Sequence, residues 1–360
     1  MKNLPMDIKK LGFDRWFADK TDSVKLTNYE IARVTAVNKD SFQIKNKNKD
    51  IFAELTGKML FNSDSPIDYP TVGDWVYAQF FDNESFAVIH EIIQRKSLLK
   101  RKTAGKKTDF QLIAANIDTA FIIQSFGSDY NLRRLERYLV MVNESNIQPV
   151  VLLSKSDLSV LPERNKKIVD IQTLMPDIQI IEFSNKNNYG MNKIKEILLP
   201  EKTFCLLGSS GVGKTTLLNN LIDDYVFETN AVREKDGKGK HTTTRRQLIS
   251  LKNDVMIIDT PGMRELGNIT ISTGIEDTFN EIAELSNQCF YKNCSHTNEN
   301  GCAIMYALEN GVISEERYLN YVKMNKEFAY NEMSYFEKRE KGKKFTKLYK
   351  SVLKNKKNKR

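Results

Sequence analysis

The sequence predicts a mainly parallel α/β domain set between a small β-barrel on its N-terminal side and a helical, cysteine-bearing unit on its C-terminal side. Three observations carry this expectation. Five short strand-like segments, separated by Asn, Asp, Gly and Pro turns, occupy residues 24–97. From residue 112, apolar strand runs alternate with amphipathic helical runs. Three of the four cysteines fall between Cys289 and Cys302.

A chain of 360 residues can bury two or three cores. Its 40% apolar and 28% charged content is ordinary for a globular protein, and no apolar run approaches the roughly 20 residues of a membrane helix. The start, "MKNLPMDIKKLGFDRWF", lacks the apolar core and cleavage site of a signal peptide. The expectation is a cytoplasmic protein with reduced thiols and no membrane partner.

The barrel segments are "YEIARVTAVN", "SFQIKN", "IFAELTG", "VGDWVYAQF" and "SFAVIHEII". Five strands in such a span suit an OB-like barrel, although the pattern alone fits a generic β-domain without a ligand equally well. The basic stretch "LLKRKTAGKKTD" shows no apolar period and reads as a linker, so residues 98–111 are assigned to one. The α/β unit follows over 112–276. It opens with strand "TAFIIQSF" and a helix carrying Leu132, Leu135, Leu139 and Val142 on one face. Strand "QPVVLLS", helix "RNKKIVDIQTLM", strand "IQIIEFS", helix "GMNKIKEIL", strand "TFCLLGS", helix "GKTTLLNNLI" and strand "DVMIIDT" come next. A helical unit is expected over 277–337.

"GSSGVGKT", comprising Gly208, Ser209, Ser210, Gly211, Val212, Gly213, Lys214 and Thr215, fits G-x-x-x-x-G-K-[ST] between a strand and a helix. In that setting backbone N–H groups turn toward phosphate oxygens, and the helix N-terminus favours negative charge. Lys214 is expected to bridge the β- and γ-phosphates, Thr215 to ligate Mg²⁺, and Thr216 to line the same site. Cys205, inside the preceding strand, reads as a small buried hydrophobe. Downstream, "DTPG" gives Asp259 for the Mg²⁺ shell and Gly262 for an N–H facing the γ-phosphate. Between these motifs, "GKGKHTTTRR" suits a switch loop in which Thr242, Thr243 or Thr244 binds Mg²⁺, with Thr243 taken as the ligand. Met263 occupies the position where a Gln would orient the attacking water. His241 is the candidate to do so instead; an exposed loop histidine is the competing reading.

Upstream of the phosphate loop, "LLSKSDLSV" places Ser154, Lys155, Ser156 and Asp157 at the end of a strand. Lys155 and Asp157 have the K-x-D spacing with which a carboxylate accepts from guanine N1 and N2 while the lysine stem covers the ring. Alone the pattern is weak and a polar turn explains it; beside a phosphate loop it points to guanine. Ser184 and Asn185 end a second strand, suited to a backbone contact with guanine O6. The base-reading segment then precedes the phosphate loop, a circular permutation that chain termini lying close together allow.

With "GSSGVGKT", "GKHTTT", "DTPG", a preceding barrel and a following Cys/His cluster, residues 28–310 resemble the RsgA (YjeQ/YloQ) family of circularly permuted small ribosomal subunit biogenesis GTPases. The resemblance implies an OB-fold barrel, a permuted P-loop GTPase domain and a zinc-bearing helical domain. It also implies GTP hydrolysis stimulated by the small (30S) ribosomal subunit, late in that subunit's maturation, with GTP, GDP and rRNA as partners and a monomeric state. A hydrophobic residue in place of the Gln fits this family, as Met263 does. Ser154 departs from the Asn usual in the base motif, a shorter side chain where one supporting hydrogen bond is made. An RNA-binding assembly scaffold with a non-hydrolysing nucleotide site is the alternative.

"CFYKNCSHTNENGC" supplies Cys289, Cys294, His296 and Cys302. A closed Cys₃His set suits one structural Zn²⁺, and the spacing matches the family's zinc site; a disulfide or free thiols are the alternatives. The last 23 residues, Lys338 to Arg360, carry twelve Lys or Arg against Glu340, so a net +9 becomes −2 without them. Phe345, Leu348, Tyr349 and Val352 lie there at helical spacing. A solvated basic arm and a polyanion contact are equally consistent with this segment.

Overall fold

The computed structural model describes residues 6–38, 41–47, 49–102, 110–222, 246–260 and 273–333, with 337 and 340. Two short helices, α1 (Met6–Lys10) and α2 (Arg15–Asp19), precede the barrel strands β1 (Glu30–Val37), β2 (Phe42–Lys45), β3 (Asp50–Leu55), β4 (Trp75–Phe81) and β5 (Phe86–Ile92). Helix α3 (Gly57–Asn62) joins β3 to β4. The strands pair in the order β1-β2-β3-β5-β4, and β4 pairs back to β1, so the sheet closes on itself. Every pairing is antiparallel except β3 with β5. Val34, Ile44, Ile51, Ala53, Val76 and Ile89 fill a narrow interior, so β2, β3 and β5 alternate, whereas β1 and most of β4 are buried on both faces. The two N-terminal helices, which strand patterning could not reveal, pack Leu11, Phe13 and Phe17 on Trp75 and Tyr77 outside the barrel.

The stretch read as a linker is different. Strands β6 (Leu98–Lys102) and β7 (Phe110–Ala115) form a two-stranded antiparallel ribbon. Leu99 anchors it, fully buried in the α/β core, and this one contact outweighs the basic, unpatterned sequence around it.

Its elements are β8 (Thr119–Ser125), α4 (Leu132–Glu144), β9 (Gln148–Ser154), α5 (Leu161–Leu174), β10 (Gln179–Glu182), α6 (Met191–Ile197), β11 (Thr203–Gly208), α7 (Lys214–Ile222), β12 (Gln247–Ser250) and β13 (Met256–Asp259). Strands β10, β9, β8, β11 and β13 lie side by side in parallel, and β12 runs antiparallel at the edge of this set. Both faces are covered, which is why the strands read as continuous apolar runs. Ile122, Cys205 and Leu207 face Leu135, Leu139 and Ile171 of α4 and α5. Phe121, Ile123, Phe204 and Leu206 face Met191, Ile194, Leu217 and Leu218 of α6 and α7. The strand that leads into the Gly-rich loop, β11, comes after β8, β9 and β10 in the chain yet sits beside β8 in the sheet.

Beyond it lie α8 (Thr273–Thr278), α9 (Asn280–Ser286), α10 (Ala303–Glu309) and α11 (Glu315–Glu332). Their core of Ile275, Phe279, Ile282, Ile304, Ala307 and Tyr318 includes Val140 from α4. Arg317 of α11 reaches across to Glu136 of α4, donates to Glu281 at 2.7 Å and to the Thr278 carbonyl at 2.8 Å, and lies over the Phe279 ring. Among the described residues no helix is long and apolar enough to cross a membrane.

Candidate nucleotide site and Cys/His cluster

The carboxyl ends of β8, β9, β10, β11 and β13 share one edge of the sheet, where open α/β folds bind ligands. Register places Ser154 opposite Ser125 and Gly208 opposite Ile123. The K-x-D segment and the phosphate loop therefore meet, although some fifty residues separate them in the chain.

The phosphate loop is shaped by its glycines. Gly208 and Gly213 have φ of +147° and +98°, and a Cβ would lie 2.4 Å from the Ile123 carbonyl at the first and 2.8 Å from Asn185 Nδ2 at the second. Lys214 Nζ donates to the carbonyls of Gly208 and Ser209, 2.7 Å each, which curls its ammonium over the loop. Ser210, Gly211, Thr215 and Thr216 are half-buried around the same turn, and Val212 is packed inward. Asp259 is buried at the end of β13, and the Thr260 hydroxyl ties the next residue to the Leu206 carbonyl at 2.5 Å. Cys205 is fully buried, and burial pushes its thiol far above the ordinary range.

At the K-x-D segment Lys155 adopts a left-handed φ of +60°, turning the chain from β9 into the short 3₁₀ turn Ser156–Leu158. Asp157 is exposed, with Oδ1 accepting from the Ser184 hydroxyl at 2.6 Å. That hydroxyl in turn accepts from Lys186 N at 3.1 Å, and Ser156 N donates to the Phe183 carbonyl at 3.2 Å. Asn185 binds across the site, donating to the Gly213 carbonyl at 3.1 Å and accepting from Asn220 of α7 at 3.2 Å. Ser154, fully buried, lies 2.7 Å from the Val212 carbonyl and 3.1 Å from that of Gln124. The hydrogen bond expected from an Asn at this position is thus supplied by a shorter side chain, with one proton facing two carbonyls.

Sequence patterns missed a second ring of residues around this loop. Asp129 accepts from the Ser209 hydroxyl and pairs with Arg134, while Gln124 exchanges two hydrogen bonds with Asn131, the N-cap of α4. No motif spacing marks them, since the contact that brings them to the loop, Asp129 with Ser209, spans 80 residues of chain. His241, Thr242, Thr243, Thr244, Gly262, Met263 and nearly all of the basic tail lie outside the described residues.

The four ligand atoms of Cys289, Cys294, His296 and Cys302 all lie within 4.8 Å of one another. Cys289 Sγ is 3.5 Å from His296 Nδ1 and 3.9 Å from Cys302 Sγ, and Cys302 Sγ is 3.7 Å from the same nitrogen. A tetrahedral ion with metal–sulfur bonds of about 2.3 Å requires ligand–ligand edges of roughly 3.7 Å, so the cluster can hold a metal ion. A disulfide is excluded in this arrangement, since it needs a sulfur–sulfur distance of about 2.05 Å. The loop is locked by its ends: Cys302 caps α10 by accepting from Met305 N at 3.5 Å, and Tyr318 donates to the His296 carbonyl at 2.6 Å.

The family model described as RsgA GTPase matches residues 92–269. "Small ribosomal subunit biogenesis GTPase RsgA 2" from Vibrio vulnificus is 35% identical, over 98% of this chain and 97% of its own length. The protein of the same name from Lactiplantibacillus plantarum is 38% identical, over 90% of this chain and 91% of its own. Among solved structures, YjeQ from Thermotoga maritima matches with a TM-score of 0.60 and 26% identity, covering 84% of this chain and 99% of that one. YloQ, described as a circularly permuted GTPase, matches with a TM-score of 0.59 at 23% identity and supports the fold alone.

Proposed function

Because the chain belongs to the RsgA GTPase family and is a GTP-hydrolysing enzyme, we propose that it binds the small (30S) ribosomal subunit, assists its late maturation, and is stimulated by it. The observation that carries the guanine-nucleotide site is the union of two separated motifs. Ser154 and Asn185 hydrogen-bond the phosphate-loop carbonyls of Val212 and Gly213, which fixes the distance between base and phosphates. Asp157, braced by Ser184, reads guanine; Lys155 covers the ring; Gly208 to Thr216 hold the phosphates. Mg²⁺ is taken by Thr215 and Asp259 with Thr243, Gly262 faces the γ-phosphate, and His241 orients water in place of the missing Gln. The Cys₃His cluster takes one structural Zn²⁺, for which its thiolates and edge lengths are suited. The barrel (about 24–97) and the helical unit (277–337) contact rRNA as a cytoplasmic monomer, with nucleotide state setting affinity. The ribbon of β6 and β7 then serves as one connection between barrel and GTPase domain.

The test is GTP turnover by the full-length protein with Mg²⁺, with and without purified small subunits. The expected result is a slow basal rate raised at least tenfold by subunits, and competition by GDP but not ATP. Binding of GTP without turnover under either condition would instead favour an RNA-binding scaffold with a structural nucleotide.

A further inference from the structure

Asp129 is an acid beside a loop meant for polyphosphate, and it is firmly held. It lies in the turn 126–131 between β8 and α4. One carboxylate oxygen accepts from the Ser209 hydroxyl. The other is 3.0 Å from Arg134 Nη2, which also donates to the Asp129 carbonyl. The turn itself is fixed: Asn131 Oδ1 accepts from Arg134 N at 2.9 Å, and Gln124 grips the Asn131 backbone at 2.9 and 3.0 Å. An aspartate so placed repels phosphate unless neutralised, and Arg134 supplies the compensating charge. What remains is a directional acceptor aimed at the second residue of the phosphate loop.

Ser209 matters because of its carbonyl. Together with the Gly208 carbonyl it holds Lys214 Nζ at 2.7 Å. Lysine carries its charge on a flexible four-carbon stem, so a fixed rest for the ammonium spares part of the ordering entropy when phosphates arrive. We propose that Asp129 is a positioning residue of the phosphate site: it anchors Ser209, and the Ser209 carbonyl holds Lys214 where the β- and γ-phosphates bind. The proposal rests on the reading of Gly208–Thr215 as the GTP phosphate loop. Since this lysine reaches the terminal phosphates, losing the anchor affects the triphosphate and its turnover more than the diphosphate.

The test uses the full chain and compares wild type, Asp129→Ala, Asp129→Asn, Ser209→Ala and the double alanine variant. Affinities for GDP and for a non-hydrolysable GTP analogue are measured by calorimetry, alongside kcat and KM for GTP. Asp129→Ala and Ser209→Ala are each expected to weaken the analogue and lower kcat by about tenfold, the scale of one charge-assisted hydrogen bond. GDP, which keeps the β-phosphate contact but has no γ-phosphate, should lose clearly less affinity than the analogue, and the double variant should be no worse than either single one. Asp129→Asn keeps an acceptor for Ser209 and should restore most of the loss. Arg134 keeps the Asp129 backbone carbonyl but loses its carboxylate partner in both Asp129 variants, so their difference isolates the anchor. Equal losses for GDP and analogue, or losses that multiply in the double variant, would overturn the proposal. If Asp129→Ala does not fold, Ser209→Ala and Asp129→Asn decide the matter from the other side of the same bond. A wild type that binds neither nucleotide would remove the phosphate-loop reading itself, whereas normal wild-type binding with unselective variants removes only the role of Asp129.

Discussion

At the scale of single residues, the base-reading segment shows how a short side chain can replace a longer one. Ser154 has no exposed surface, and its hydroxyl sits against two carbonyls from different strands and loops. Its contribution is to seat Val212, so its removal would be felt by the phosphate loop before the base. Asp157 is different, because one oxygen is committed to Ser184 and its side chain is exposed at the sheet edge. A carboxylate accepts from both the N1 and N2 protons of guanine, while an amide can accept one of them and sets its NH2 donor against the other. Asp157→Asn should therefore weaken GTP binding by roughly ten- to a hundredfold, the effect of losing charge-assisted hydrogen bonds. It should also improve binding of xanthosine triphosphate, whose C2 carbonyl accepts from the new amide. Competition of the two nucleotides for the variant checks this; an unchanged order of preference would move base recognition elsewhere.

At the scale of elements, the Cys/His loop couples a metal site to helix capping. Cys302 is both a candidate ligand and the N-cap of α10, so one substitution normally confounds two effects. Cys302→Ser separates them, since a serine oxygen caps a helix well but replaces a thiolate poorly. The expectation is that Cys302→Ser drops zinc below half an equivalent and lowers the melting temperature as a chelator does in wild type. Cys302→Ala should lose about 1 kcal/mol more, the worth of the cap. Metal analysis with thermal unfolding tests this, and full zinc in Cys302→Ser would show that the thiolate is dispensable. This cluster, the phosphate loop and the K-x-D turn were legible in the sequence because each is a local pattern with fixed spacing. The strands were legible because their faces are uniformly buried or alternate. Less legible was whatever depends on a partner far along the chain: Leu99 turning a basic stretch into strand β6, Asp129 finding Ser209, and Phe13 and Phe17 finding Trp75. Nothing in the spacing of those residues announces the contact.

At the scale of the whole molecule, the contacts between the barrel and the α/β sheet include the strand pairing of Ala36 with Gln247, the hydrogen bond from Ala115 N to the Val72 carbonyl at 2.8 Å, and a buried cation. Arg33 of β1 is 1% exposed and donates to the Leu11 carbonyl of the N-terminal segment and to the Gly73 carbonyl beside the barrel. It also donates to the Asn116 carbonyl and, at 2.8 Å, to Thr203 Oγ1 at the start of β11. Its guanidinium lies over the Trp75 ring, 5.3 Å from the centroid. Among the described residues no carboxylate touches it directly, and burial pushes its pKa down to about 10, opposed by the more distant Asp118, Asp74 and Asp14. It stays charged at neutral pH, and its hold depends on satisfying several neutral acceptors at once. A fork of planar donors does this; an ammonium cannot reach four directions from one point. Arg33→Ala takes this donor from the buried Leu11 and Asn116 carbonyls, while the Gly73 carbonyl keeps Asn116 Nδ2, and should destabilise the protein by about 3–5 kcal/mol, with Arg33→Lys recovering only part of the loss. If this residue is the joint, the damage is also qualitative: calorimetry of Arg33→Ala should resolve two melting transitions where wild type shows one, as barrel and α/β sheet cease to unfold together. A single transition at a lower temperature would mean that the cation merely stabilises the barrel. Two transitions would identify Arg33 as the bond through which a contact on the barrel is felt at β11, the strand that carries the phosphate loop.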